Sequence, residues 1–382
     1  MDTVTLETVE AQAETPAPII PDYGGANVRG IVPALLGPGA WSEALPWWVP
    51  EPVKGAEQAV LFVLDGLGWD QLQERLDVAP TLAALSGHAI TTVAPTTTAT
   101  ALSSITTGLT PAEHGLVGYR MMLGGNVLNV LRWHGASGDR RRALPPRDVQ
   151  PFPAFLGQAV PVISPAELQG SAFTEAHLRG SRPVGWRAAS AIAVEVGRQL
   201  RAGERFVYAY YGGIDKTAHE RGFGEFYDAE LRAADRLVAD VLAMLPPGAA
   251  LLVTADHGQV DVGDRMVVPD RELLAMVTHQ SGEGRFRWWH ARRGAAQELQ
   301  EAATAAYADV AWVVSRQQVI DEQWFGTTVA PPVAARVGDV ALVAHAPVSF
   351  FDPADSGPFE LICRHGSMTS AEMFVPLLAA QA

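Results

Sequence analysis

Six side chains of metal-binding type fall in four short patches of the chain. Asp65 lies in Val63-Leu64-Asp65-Gly66, Asp215 and His219 in Asp215-Lys216-Thr217-Ala218-His219, Asp256 and His257 in Asp256-His257-Gly258, and His365 in Arg364-His365-Gly366. Three carboxylates and three imidazoles form a mixed oxygen and nitrogen donor set that suits zinc; manganese or iron also enter oxygen-rich sites. Two neighbouring divalent ions can hold the attacking and the leaving oxygen of an in-line displacement at phosphorus. A fifth patch, Pro95-Thr96-Thr97-Thr98-Ala99-Thr100, supplies hydroxyls. Taken singly, each patch also has an ordinary reading. An Asp before Gly caps loops, a lone His is a common surface residue, and a Thr such as Thr98 caps helices. Asp256 and His257, adjacent at the end of an apolar run, carry the sharpest single signal, and Asp215 and His219 share one face if their segment is helical. The other histidines (His88, His114, His134, His177, His279, His290 and His345) are expected to be structural or exposed, with His114 the foremost exception.

The elements that must position these patches read as an α/β fold. Residues 59–64 and 249–254 are uninterrupted apolar runs, as expected of strands buried on both faces. Strands are also expected over 88–93 and 204–211, and helices over 69–85, 98–106 with Gly108 as its stop, 188–200 and 225–244. Strands alternating with helices predict a mostly parallel central sheet flanked by helices on both faces. In such sheets ligands bind at the carboxyl edge, and the patches follow predicted strand ends, His365 least clearly. Two stretches, about 118–183 and 261–359, fit the alternation poorly and are expected to be insertions capping that edge. Residues 1–25, rich in Thr, Glu, Ala and Pro, read as a loosely ordered arm before a single catalytic domain over 26–382.

Composition narrows the function. A hydrophobic fraction of 48% with 18% charged residues is that of a folded globular chain. The net charge of −14 speaks against a nucleic-acid polymer as partner, which needs clustered Lys and Arg, but not against a small anionic substrate. Cys363 is the single cysteine, so no intramolecular disulfide forms. The opening residues lack the basic and apolar regions of a secretory signal, and no uncharged run approaches the ~20 residues that span a bilayer. A cytoplasmic protein without a membrane partner is the expectation; the oligomeric state is open.

The ordered motifs resemble the alkaline phosphatase superfamily, and within it the nucleotide pyrophosphatase/phosphodiesterase branch. They run Leu64-Asp65-Gly66, then Pro95-Thr96-Thr97-Thr98, then Thr107-Gly108-Leu109-Thr110-Pro111-Ala112-Glu113-His114-Gly115, followed by Asp215 to His219, Asp256-His257-Gly258 and His365-Gly366. The resemblance implies an alkaline-phosphatase-like fold and two zinc ions. Asp65, Asp256 and His257 would hold one, next to Thr98; Asp215, His219 and His365 would hold the other. Thr98 would be both the nucleophile and a ligand, with Thr97 or Thr96 as alternative registers, and a phospho-threonine would be hydrolysed by water. The sulfatase branch is excluded, because no Cys or Ser opens the Cys/Ser-x-Pro-x-Arg run it modifies.

One departure bears on substrate. The branch places an Asn three residues after the nucleophile to contact a phosphoryl oxygen, and Ala101 stands there. The replacement donor would be a backbone N–H, the Thr100 hydroxyl or a side chain from an insertion. Lys216 and Arg364 adjoin ligands and could meet the extra charge of a monoester, while Tyr119, Trp133, Tyr210 and Tyr211 offer aromatic surfaces for stacking. A phosphodiesterase or nucleotide pyrophosphatase for small soluble substrates is the leading reading. The alternatives are a phosphomonoesterase, phosphonate hydrolase or phosphomutase of the same superfamily, or a metal-stabilised binding protein without turnover.

Overall fold

The computed structural model describes residues 16–38, 40, 45–355 and 360–382. The apolar run Gln58–Leu64 forms strand β1, and its six apolar residues are all buried. A strand hidden on both faces belongs in the middle of a covered sheet. With β2 (Ser86–Thr91), β3 (Pro161–Pro165), β4 (Arg182–Trp186), β5 (Phe206–Tyr211), β6 (Ala249–Thr254) and β7 (Phe374–Gln381), it builds a seven-stranded sheet in the order β2-β7-β6-β1-β5-β3-β4. Neighbours β6-β1-β5-β3-β4 are parallel, and only β7 runs against the rest.

Helix α1 (Thr98–Thr107) packs with Ile31–Leu36 and Ala172–His177. A second group, α2 (Ala191–Arg201), α3 (Gly213–Arg221) and α4 (Glu225–Ala243), packs together with Pro80–Ala84. The expected α/β architecture with helices on both faces is therefore present. Register does the rest: Val63 pairs with Thr254 on one side and Tyr210 on the other, so β1, β5 and β6 end level.

Three expectations change. The helix expected over 69–85 is two short ones, Trp69–Gln73 and Pro80–Ala84. Ala79, held at φ −124° before Pro80, cannot continue a helix, because the proline ring crowds the residue preceding it. The stretch 118–183 is not all insertion. Its first part forms a separate antiparallel sheet (Arg120–Leu123, Asn126–Asn129, His134–Gly135, Gly138–Asp139), but Pro161–Pro165 and Arg182–Trp186 join the central sheet. Prolines at both ends of β3 read as breakers in the sequence, yet the first residue of a strand tolerates one. Of the arm, residues 1–15 lie outside the described residues, while Ile19 N–H donates to Met368 O at 2.9 Å and the Tyr23 hydroxyl to Trp324 O at 2.8 Å. Residues 16–25 are thereby fastened to the body.

The second insertion folds as an antiparallel sheet of Val277–Glu283, Phe286–Ala291, Val340–Ala344 and Ala311–Ser315, with helix Ala296–Tyr307 on it. Its small core contains Trp289, Leu299, Leu342 and Phe350. This cap is joined to the loop after His365 by a fully buried pair. Arg285 donates to Glu372 at 2.8 and 2.9 Å and to the Ala344, Ala346 and Val348 carbonyls, while Glu372 also accepts from Ser367 N–H and the Thr369 hydroxyl. Glu372→Ala leaves a buried guanidinium without its counter-charge. Urea unfolding is expected to show a loss of about 3–5 kcal/mol; a change within 0.5 kcal/mol, roughly the range of a surface substitution, would contradict it.

Candidate metal centre

Each ligand patch reaches the carboxyl edge by a short, sterically specified route. Asp65 immediately follows β1, and Gly66 turns the chain at φ +77°, where an added Cβ would lie 2.6 Å from Gln259 Nε2 and 2.9 Å from Asp215 Cβ. Only glycine passes that point without strain. Its N–H and that of His257 both donate to Asp256 Oδ1 at 3.1 Å. Asp215 and His219 stand one helical turn apart on α3, with His219 Nε2 3.2 Å from Asp215 Oδ1. Gln259 Nε2 adds a 3.0 Å hydrogen bond to that same oxygen.

The threonine patch is zipped to the His365 loop, which separates its three hydroxyls. Thr96 donates to Ser367 O at 2.8 Å and accepts from Gly366 N–H at 3.0 Å. Thr97 is the N-cap residue of α1, and its side chain bonds Glu283. Thr98, the first residue of α1, has its Oγ1 3.1 Å from His257 Nε2. Of the three, Thr98 is the one whose hydroxyl faces the imidazole between the carboxylates.

The donor set fits two divalent ions on observations made in the chain itself. The Nδ1 atoms of His257, His219 and His365 lie 3.0, 2.6 and 2.8 Å from the Gly258, Cys363 and Thr96 carbonyls. Since a carbonyl only accepts, each Nδ1 carries a proton; the neutral His257 and His365 then keep a lone pair on Nε2, the usual outer-shell arrangement of a ligating histidine, whereas His219 Nε2 faces Asp215 Oδ1, whose carboxylate raises that imidazole against its burial. Asp65 Oδ1 and Asp256 Oδ2 are buried with no hydrogen-bond partner. Two groups bring their donor atoms within 4.8 Å of one another: Asp65, Asp256 and His257, and Asp215, His257 and His365. The first is the expected triad. In the second, His257 takes the place expected for His219, because the His219 imidazole has turned onto Asp215.

The electrostatics point the same way. Burial, then Asp256 and Asp215, push Asp65 well above the usual carboxylate range, against a hydrogen bond from the Tyr210 hydroxyl. Burial also raises Asp256, against the pull of His257. At Asp215 burial is the largest single influence and acts upward, but His219, His365 and His257 together outweigh it and hold the group below its ordinary value. Burial and the neighbouring His257 and His219 drive His365 well below the usual imidazole range. The His257 and His365 rings stack at 3.7 Å, a contact suited to neutral, ligating imidazoles.

A cavity of about 410 Å³ opens beside Thr98, within the range of small-molecule sites. Tyr119 and Arg364 line it, as expected; Lys216 is exposed and does not, and Thr100 and Ala101 are buried within α1. Trp133, Tyr210 and Tyr211 bond Leu144 O, Asp65 and Glu230 instead of lining the cavity. His114 is structural: its Nε2 is 2.9 Å from Ser104 Oγ, and burial with Arg336 brings it down to about 3. Sequence reasoning missed Glu283 and Arg132, which line the cavity from the two insertions, and Gln259, which holds Asp215; Tyr210, expected as a stacking surface, instead donates its hydroxyl to Asp65. The position of Gln259 two residues after His257 was the one available hint.

Because the folded Asp65 carboxyl lies above its unfolded value, it destabilises the metal-free fold increasingly as pH rises from about 4 toward the raised value. Asp65→Asn is therefore expected to raise the Tm of chelator-treated protein over that window. It should also remove most of the stabilisation by added zinc, about 2.7 kcal/mol for the unsubstituted chain at a hundred times Kd. Equal metal-induced shifts in both proteins would exclude Asp65 as a ligand.

The family profile described as type I phosphodiesterase/nucleotide pyrophosphatase matches residues 59–183 and 187–368. Among solved structures, murine ectonucleotide pyrophosphatase/phosphodiesterase 5, an inactive threonine-to-alanine variant in complex with AMP, is 15% identical with a TM-score of 0.63, covering 85% of this chain and 88% of that one. Phosphonoacetate hydrolase from Sinorhizobium meliloti 1021, in complex with phosphonoformate, is 17% identical with a TM-score of 0.62 over 87% of this chain and 90% of that one. The human ectonucleotide pyrophosphatase/phosphodiesterase 5 is 16% identical with a TM-score of 0.60 over 85% and 87%. No curated protein matches the sequence. These structural likenesses speak for the fold, while the profile spans most of the chain and all five motif patches, so the chain belongs to the type I phosphodiesterase/nucleotide pyrophosphatase family of the alkaline phosphatase superfamily.

Proposed function

We propose that the chain hydrolyses small soluble phosphodiesters or nucleotide anhydrides with Thr98 as nucleophile and two divalent ions, zinc foremost, as cofactors. The observation that carries this reading is Thr98 Oγ1, in the cavity wall and 3.1 Å from the Nε2 of the histidine common to both donor groups. AMP, bound in the murine relative, is a nucleoside monophosphate of the kind that cleavage of a nucleotide anhydride releases.

Asp65, Asp256 and His257 would hold one ion, and Asp215 and His365, with His219 beside them, the other. Bound there, the ions supply positive charge that favours a deprotonated threonine and neutralises phosphoryl oxygens. Thr98 Oγ1 forms a bond to phosphorus as the bond to the leaving oxygen breaks, and the threonine proton ends on the leaving group. Water then cleaves the phospho-threonine, returning a proton to Oγ1. Thr98 and Ala99 open α1, so their N–H groups have no intrahelical acceptor. With Ala101 in place of an Asn, these backbone donors take the role of holding a phosphoryl oxygen. The buried Thr100 hydroxyl does not.

A monoesterase or phosphonate-hydrolase reading has one observation in its favour, the Arg364 guanidinium in the same cavity. The rates on bis(p-nitrophenyl) phosphate and p-nitrophenyl phosphate decide between them. The diester is expected to have the higher kcat/KM, and Thr98→Ala to lose at least about 10³-fold while retaining its metal. Monoester preference would move the assignment; unchanged turnover in Thr98→Ala would remove Thr98 from the mechanism.

A further inference from the structure

Glu283 belongs to neither donor group, yet the fold makes room for it beside them. It ends the strand Val277–Glu283 of the second cap, is buried, and lines the cavity together with Thr97 and Thr98. Gly366, in the loop after His365, leaves the space its side chain fills: a Cβ there would lie 2.7 Å from Glu283 Cγ and 2.8 Å from Cδ. The hairpin behind it is fixed. Arg285, two residues on, is tied to Glu372, and Gly284 O accepts from Phe350 N–H at 2.7 Å. Glu283 Oε2 stands 3.6 Å from His365 Nδ1, and Oε1 has no hydrogen-bond partner. A buried carboxyl with an unpartnered oxygen costs stability, which calls for a role beyond packing.

That role concerns Thr97. A threonine at the N-cap ordinarily turns its hydroxyl back over the helix start and accepts from the N–H two or three residues on. Ser171, Asp270 and Ser315 do so at the starts of other helices. Thr97 occupies the N-cap of α1 with extended backbone, φ −132° and ψ 143°, but makes no such bond; its hydroxyl is turned to the Glu283 carboxyl instead. Thr100 N–H is already taken by Thr97 O at 3.0 Å. The N–H that a capping Thr97 hydroxyl would cover is therefore that of Ala99, one of the two donors assigned above to a phosphoryl oxygen.

We infer that Glu283 is a positioning residue: it holds the Thr97 hydroxyl off the start of α1, so that Ala99 N–H stays open to the phosphoryl oxygen in the transition state. This inference rests on the phosphodiesterase reading and identifies how its backbone donors are kept free.

Glu283→Ala and Glu283→Ala/Thr97→Val test it in metal-loaded protein with bis(p-nitrophenyl) phosphate. Without the carboxyl the Thr97 hydroxyl caps Ala99 N–H, and kcat should fall about 100-fold, as on loss of one oxyanion donor, with KM within about 3-fold. Removing the hydroxyl as well should recover at least about 10-fold of that loss, a rescue that a merely structural Glu283 would not allow. Glu283→Gln, which keeps an acceptor oxygen at the same reach, should retain most of the activity that Glu283→Ala loses. A crystal structure of Glu283→Ala reads the same step without turnover: Thr97 Oγ1 should lie about 3 Å from Ala99 N. Glu283→Asp, one methylene shorter, takes the same measurements if Glu283→Ala does not fold. A Thr97 hydroxyl that stays in place, or a double variant as slow as Glu283→Ala, overturns the inference and leaves the phosphodiesterase reading intact. Loss of metal from Glu283→Ala would assign its role to His365 and overturn it equally. Absence of turnover by the unsubstituted chain overturns the phosphodiesterase reading, and the Thr97 position in the crystal still decides whether Glu283 holds that hydroxyl.

Discussion

Like charges forced together out of water are the constraint on which this structure depends. Asp65 and Asp256 are buried side by side, each with one oxygen lacking a protein partner, and Asp215 adds to the field at both. No arrangement of the described side chains relieves this. Gly66 N–H, His257 N–H and the Tyr210 hydroxyl satisfy the far oxygens of the two carboxylates and leave the near ones bare. Buried acids without such relief normally give up their charge. Here the imidazoles of His257 and His365 lie against the same carboxylates, so the two donor groups are candidates to hold metal ions.

The scaffold around it serves to hold that unfavourable cluster in place. Level ends of β1, β5 and β6 bring Asp65, Asp256 and the start of α3 together, and the pairing of Thr96 with Gly366 fixes the threonine loop against the His365 loop. Each imidazole is anchored through Nδ1 to a backbone carbonyl, so ring orientation is set by main chain and not by flexible side chains. The Arg285–Glu372 pair extends this anchoring into the second cap. Rigid support of this kind limits how far the clustered side chains can move relative to one another.

The caps divide the labour differently. They contribute no residue to the two donor groups, but they supply Tyr119, Arg132 and Glu283 to the cavity wall. The donor groups thus stand at the edge of the central sheet, and the insertions furnish part of the cavity wall over them. The two are joined through a buried network in which Asp352 and Asp355 link Arg120 of the first insertion to Arg287 of the second.

Much of the centre was legible in the sequence because its signals are local. An apolar run ending in Asp-Gly or Asp-His-Gly needs no distant information to be read as a strand delivering a ligand. The i, i+4 spacing of Asp215 and His219 likewise follows from helix geometry alone. The order of these patches sufficed to point to the family, and α1, α4, β1 and β6 begin and end within two residues of expectation. Long-range geometry decided the rest. Whether His219 or His257 completes the second group depends on a side-chain orientation set by Cys363 and Asp215, and β3 was hidden by prolines whose cost depends on sheet position. Glu283, Gln259 and Arg132 carry no motif, because their roles exist only once hairpins far apart in the chain meet over one edge. Residue types and spacing thus determined which chemistry is possible, while packing decided which groups face the cavity, since burial and partner distance arise only in three dimensions.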